Sequence, residues 1–162
     1  IVSTGDKFKT NLLVIKSVIK SNDNRSSLLL KRTFEILNNK IKNKKICFLG
    51  VTFKANTDDM RDSSSLSMIP SLHKKGAKIN YFDPTGEKND FKKLKNVTFS
   101  NNIKSAISNS DLIIIHTEWN DFKSINFNKL VKNKNFKIFD MRNIYSAKKM
   151  TKQKIKYFAI GS

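Results

Sequence analysis

The stretch Ile46-Cys47-Phe48-Leu49-Gly50-Val51, continuing as Thr52-Phe53-Lys54-Ala55-Asn56-Thr57-Asp58-Asp59-Met60-Arg61-Asp62-Ser63, decides the fold. Six apolar or small residues without polar alternation predict a strand buried on both faces, as parallel sheets require. The polar, aspartate-rich segment behind it reads as a loop leaving the carboxyl end of that strand, and Ser64–Lys75 as the helix that follows. Working outward, the pattern repeats. Ile79–Phe82, Leu112–Ile115 and Phe136–Phe139 are further short apolar runs, Ile103–Ser108 and Phe127–Lys132 have helical pattern, and Lys156–Ala159 makes a short terminal strand. Gly76 stands where a helix C-cap belongs. Strands alternating with helices predict an α/β fold, a doubly wound parallel sheet with right-handed crossovers, over residues 44–162. The lysine-rich segment 85–96 reads as a loop.

Residues 1–43 carry a different period. Phe8, Leu12, Ile15 and Ile19 are spaced 4, 3, 4, and so are Leu30, Phe34, Leu37 and Ile41. Each set predicts one apolar stripe on a helix, with Ser21-Asn22-Asp23-Asn24 between them as a cap or bend. These α-helices precede the α/β domain and need a partner surface, supplied in part by other sequence or another subunit.

The 162-residue chain has a formal net charge of +19, yet of its 32 basic residues only Arg25, Arg32, Arg61 and Arg142 are arginine. A dedicated nucleic-acid binder favours arginine for bidentate phosphate and base contacts. The lysines are scattered along the whole length, so the charge reads as a solvated surface rather than a nucleic-acid interface. No apolar run reaches the roughly 20 residues of a membrane span, and no secretory signal precedes the first helix. The single cysteine, Cys47, allows no internal disulfide, which fits a reducing cytoplasm. A first residue of Ile rather than Met reads as a fragment of a longer protein.

In an open parallel sheet, ligands bind beyond the carboxyl ends of the strands. Residues 50–61, Asp83-Pro84, 116–119 and 140–145 occupy those ends. The first loop lacks G-x-G-x-x-G but offers an aromatic face (Phe53), an ammonium (Lys54), a guanidinium (Arg61) and serines at a helix start. Such a set suits a pyrophosphate. A merely solvated lysine-bearing loop accounts for it equally well on physical grounds.

The run Leu49 to Ser63 resembles the segment that opens the C-terminal domain of the UDP-glucose/GDP-mannose dehydrogenase family. Three more segments resemble that family in order. They are Gly76-Ala77-Lys78 with Tyr81-Phe82-Asp83-Pro84, then Ser110-Asp111-Leu112 through Thr117-Glu118-Trp119, then Asp140-Met141-Arg142-Asn143-Ile144-Tyr145, where Met141 replaces the usual glycine. Even the close, 157–161, is similar, so the resemblance covers roughly residues 10 to 162. It implies a Rossmann-like UDP-sugar-binding domain of an NAD-dependent enzyme that oxidises a sugar alcohol to a carboxylate in two steps. The T-E-W and D-x-R-N-x-Y segments look most like the UDP-glucose branch, with UDP-N-acetylmannosamine or GDP-mannose as alternatives and a basic nucleic-acid-binding module as a remoter one.

Carried over by position, Phe53, Lys54 and Arg142 would contact the UDP-sugar, and Arg61 would reach toward NAD held by another domain. The family's catalytic cysteine sits in a G-G-x-C segment that this chain lacks, and so does its G-x-G-x-x-G domain. No catalytic residue is therefore expected here, nor turnover by the chain alone; the expected partners are the NAD-binding half and further copies of the chain. Cys47 reads as a small buried hydrophobe, inside an apolar run. His116 reads as a structural hydrogen-bonding residue at a strand end, and His73 as a surface or half-buried one. Asp58 and Asp59, Glu118 and Asp140 read as loop-ordering groups, and Trp119 as core. No metal-ligand spacing is present.

Overall fold

In the computed structural model of the protein, residues 13–161 are described, with side chains from residue 25 onward. The apolar runs become strands β1 (Lys45–Leu49), β2 (Lys78–Phe82), β4 (Leu112–Ile115), β5 (Lys137–Asp140) and β6 (Lys156–Ala159), joined by β3 (Val97–Phe99). They form one sheet in the order β3-β2-β1-β4-β5-β6, every pairing parallel. The order reverses at β1, whose neighbours are β2 and β4, so a crevice opens above the carboxyl ends of these strands.

In the central strands alternate residues enter opposite faces, and both faces are packed. Ile46, Phe48, Ile79, Tyr81, Leu112, Ile114 and Phe139 join one core with the end of the first helix and with α2 (Ser65–Lys74). Cys47, Leu49, Ile113, Ile115 and Ile138 join another beneath α3 (Ile103–Ile107), α4 (Phe127–Leu130) and α5 (Ala147–Lys152). Burial on both faces explains why the strands read as unbroken apolar runs.

Three elements differ from expectation. The first helix, α1 (Leu13–Ile36), runs straight through Ser21–Asn24, where a cap or bend was predicted. Each poor helix former costs only a few tenths of a kcal/mol up to about 0.7, which a cooperative 24-residue helix absorbs. The second stripe survives beyond it: Leu37 and Ile41, past the helix end, are buried with Ile36. Phe8 and Leu12 lie outside the described residues, as do the side chains of Ile15 and Ile19. Strand β3 was missed because it is a three-residue edge whose middle residue, Thr98, is exposed. Helix α5 was missed because its only buried anchor is Met150.

The end of α1 is tied to the sheet by charge. The Lys137 ammonium donates to the Ile36 carbonyl, a cation at a helix C-terminus. Burial first, then Lys156 and Lys44, hold the Lys137 pKa below its ordinary value. Arg32 lies over the Phe158 ring, 5.9 Å from its centroid.

Helix α2 ends as its sequence predicts. Gly76 has φ +85°, with Gly76 N–H on the His73 carbonyl and Ala77 N–H on the Leu72 carbonyl. Elsewhere asparagine does glycine's work: Asn38, Asn39, Asn43, Asn56, Asn96 and Asn143 all adopt positive φ. Met141 does not, and its side chain is 4% exposed in the first core. The left-handed residue of that segment is Asn143 instead, so methionine in place of glycine is accommodated without strain. No helix among the described residues is long and apolar enough to cross a membrane.

Candidate functional site

The loop between β1 and α2 is held at many points. Val51 N–H donates to Asp83 Oδ2 at 2.8 Å and Thr52 N–H reaches the same oxygen at 3.4 Å. The Val51 carbonyl accepts from both Ser63 Oγ and Ser65 Oγ, each at 2.6 Å. Thr117 Oγ1 donates to the Thr52 carbonyl at 2.9 Å, and Phe53 N–H to the Asp59 carbonyl at 2.9 Å. Arg142 closes the circuit, with Nη2 on the Phe53 carbonyl at 3.0 Å and Nε on the His116 carbonyl at 2.8 Å. Partners as far apart as 89 residues in sequence thus set the shape of one loop.

What this frame presents outward is Phe53, 46% exposed, and the exposed Lys54 beside it. They sit on an open shelf above β1. Arg142 belongs to the same shelf by its bond to Phe53, and its Nε also lies 2.9 Å from Glu118 Oε2. Arg61 is at the rim and stands apart. Its guanidinium chelates Asp59 through two 2.9 Å bonds, and its side chain is 88% exposed. Of the set read from sequence, Phe53 and Lys54 are exposed together on the loop, while the Arg61 guanidinium is taken up by Asp59. Arg61's side-chain and backbone N–H bonds hold the Asp59 carboxyl down at about 2, with Lys54 a lesser contributor.

One expectation about phosphate recognition is corrected. A helix N-terminus grips anions through free N–H groups. In α2 the N–H groups of Ser65, Leu66 and Ser67 are already on Ser63 Oγ, the Ser63 carbonyl and the Ser64 carbonyl. Ser64, at the N-cap position, makes no side-chain cap bond, and Ser63 and Ser65 brace the loop through the Val51 carbonyl.

The remaining candidates sort by their partners. Asp140 is fully buried; its carboxylate accepts from Arg142 N–H, Tyr145 N–H and the Tyr157 hydroxyl at 3.0, 3.1 and 2.8 Å, and so shapes the segment carrying Arg142. Burial, followed by Asp140, raises the Tyr157 hydroxyl's pKa above its ordinary value. Trp119 is core, 8% exposed, and Asp58 is a solvated residue. Cys47 is 0% exposed and burial pushes its thiol far up, so it is neither nucleophile nor ligand. Asp83 was read only as part of a strand-end turn; its role as the loop's anchor was missed, as was its buried ion partner Lys88, 3.8 Å away. A buried acid closing a strand was the available signal. Among the described residues no cluster of His, Cys, Asp or Glu could hold a metal.

His116 is 2% exposed. Thr117 Oγ1 spends its proton on the Thr52 carbonyl, so His116 Nδ1 must donate to it, at 3.1 Å. Nε2 then accepts from Ser64 Oγ, at 2.8 Å, and has no lone pair left for catalysis. Burial, then Arg142, depress its pKa to about 3. A folded pKa below the unfolded 6.5 means that the unfolded chain takes the proton first, so stability is constant above that pH and falls as pH drops below it. Urea unfolding at pH 5 should give about 2 kcal/mol less stability than at pH 7. The slope should vanish in His116→Gln; an unchanged slope would move its origin elsewhere.

Against known proteins, residues 47–147 match the family model described as "UDP-glucose/GDP-mannose dehydrogenase family, UDP binding domain". The chain is 32% identical over 162 residues to a UDP-glucose 6-dehydrogenase of Rhizobium meliloti, covering 99% of this chain and 37% of that one. It is 37% identical over 154 residues to one from Rickettsia conorii, covering 92% and 35%. It thus spans just over a third of the length of these relatives. In fold it is similar to a UDP-glucose dehydrogenase from Pyrobaculum islandicum, at TM-score 0.77 and 20% identity, over 97% of this chain and 34% of that one. The match lies over β1 to β5 and includes every segment that builds the shelf, so the chain belongs to the UDP-glucose/GDP-mannose dehydrogenase family and carries its UDP-binding domain.

Proposed function

We propose that this domain holds the UDP-sugar of an NAD-dependent UDP-glucose 6-dehydrogenase, which oxidises UDP-glucose to UDP-glucuronate in two steps. The observation that carries the reading is a loop fastened to the sheet by Asp83, Ser63, Ser65, Thr117 and Arg142 that nonetheless exposes Phe53 and Lys54. Such preorganisation spares a ligand the entropy of ordering the loop. Lys54 would neutralise the diphosphate, Phe53 would lend an apolar ring face, and Arg142 would both hold the loop and present its remaining N–H groups to the substrate.

The residues do not fit the dinucleotide itself. The β1–α2 crossover has one glycine, and the α2 N–H groups are occupied. Arg61, exposed at the rim, would reach toward NAD bound by another part of the enzyme. NAD would accept the hydrides there, and the covalent thiol would come from there too, since Cys47 is sealed. We assign the working enzyme to the cytoplasm as a homo-oligomer, on the family likeness and the reduced, buried cysteine.

Titration of the chain with UDP, followed by NMR or calorimetry, tests the site. Lys54→Ala should weaken UDP by about tenfold to a hundredfold, the loss of one charge-assisted contact, with little change in melting. Arg142→Ala should weaken it comparably while loosening the Phe53 amide signal. Preference for GDP over UDP would point to a GDP-mannose enzyme. Binding of duplex DNA with no response to UDP would overturn the reading.

A further inference from the structure

The amino ends of the strands carry a second polar feature, on the opposite edge of the sheet from the shelf. A cleft of about 280 Å³ opens there, lined among others by Lys45, Lys78, Asn80, Asn96, Thr98 and Ser110. Five-residue strands separate the two edges by roughly 15 Å or more. The register explains how the lining comes together. Lys45 pairs with Lys78, Cys47 with Asn80, and Asn80 with Thr98, so these residues lie on one face of β1, β2 and β3. Further along β1 that face is core, with Cys47 and Leu49 under Ala106 and Ile107 of α3. Toward β3 it turns polar, where a doubly wound sheet normally continues apolar.

We propose that this cleft binds a compact oxyanion of the phosphate class, free or as the phosphate group of a small metabolite. Two ammonium groups start neighbouring strands whose backbones lie about 4.8 Å apart, and neither has an ion-pair partner among the described residues. Around them stand amide and hydroxyl donors, including Ser110, which is only 3% exposed. No carboxylate lines the cleft. The neighbouring one, Asp111, turns Oδ2 to the Lys45 backbone N–H at 2.8 Å and Oδ1 to Asn133 Nδ2 at 3.0 Å, and forms no ion pair with either ammonium. Two ammonium groups without ion-pair partners beside neutral donors, with no carboxylate in the lining, form the complement of a multivalent anion. The site is separate from the UDP shelf and does not depend on that reading.

The test is a titration of the ¹⁵N-labelled chain with inorganic phosphate at constant ionic strength, sodium chloride being replaced as phosphate is added. Saturable shifts are expected at Asn80, Asn96 and Thr98. Binding should weaken by about tenfold or more in Lys45→Gln/Lys78→Gln, as loss of two charge-assisted contacts requires, and persist in Lys54→Ala. Thr98→Val removes one donor without touching the strand starts, and should weaken binding even if the double variant folds poorly. Non-saturating shifts spread evenly over the lysine-rich surface would overturn the proposal. So would saturable binding that Lys54→Ala abolishes, because the anion would then belong to the shelf.

Discussion

Gly50→Ala is expected to destabilise the domain by about 3 to 5 kcal/mol, measured by urea unfolding, a large part of the stability of a domain this size. Two costs add at this position. Gly50 has φ +76°, where an L-residue pays roughly 1 to 2 kcal/mol. A Cβ there would also lie 2.5 Å from Thr117 Cβ and 2.8 Å from Thr117 Oγ1. That neighbour cannot swing away. Its backbone N–H is on the Leu49 carbonyl and its hydroxyl is on the Thr52 carbonyl, so retreat would break the bond that shapes the loop. The close approach of β1 and β4 at their carboxyl ends is thus what demands glycine, and UDP binding should fall with stability. A variant that melts within a degree or two of the parent would show that the strands do not meet so closely.

Asp83→Ala comes second, at about 3 to 5 kcal/mol. Its carboxylate is 1% exposed and serves Val51 N–H, Thr52 N–H, and the N–H and hydroxyl of Thr85. Removing it strands those donors and leaves the Lys88 ammonium, whose side chain is 7% exposed, without its counter-charge. An unpaired buried charge costs more than the pair contributed. The double variant Asp83→Ala/Lys88→Met should therefore recover part of the loss, a coupling readable in a double-mutant cycle. Equal losses in the single and double variants would mean that the ammonium escapes to water and that the backbone anchors alone matter. Because Asp83 holds the start of the shelf loop, UDP affinity should drop in both.

The parts of this molecule legible from sequence are those whose cause is local. Ile46-Cys47-Phe48-Leu49 and Leu112–Ile115 are strands buried on both faces, so burial writes itself as an unbroken apolar run. Gly76 marks a helix end because its left-handed backbone is a property of that residue. The exposure of Phe53 and Lys54 was legible because they stand on a strand-end loop, and the four ordered motifs tied that loop to a family.

Hydrogen-bond partners across the sheet were not legible. Arg61 and Arg142 are the same residue type in similar loops, yet one chelates the carboxylate two positions away while the other reaches across 89 residues to the Phe53 carbonyl. His116 is held neutral by burial and by Arg142, with Ser64 and Thr117 fixing its tautomer, and Met141 is buried in the first core. The polypeptide's own pattern determined a parallel α/β sheet, its strand ends and the chemical types gathered there. Folding in three dimensions alone decided which of those groups stay free for a ligand, since a charge or N–H is available only where no partner from a distant strand has already taken it.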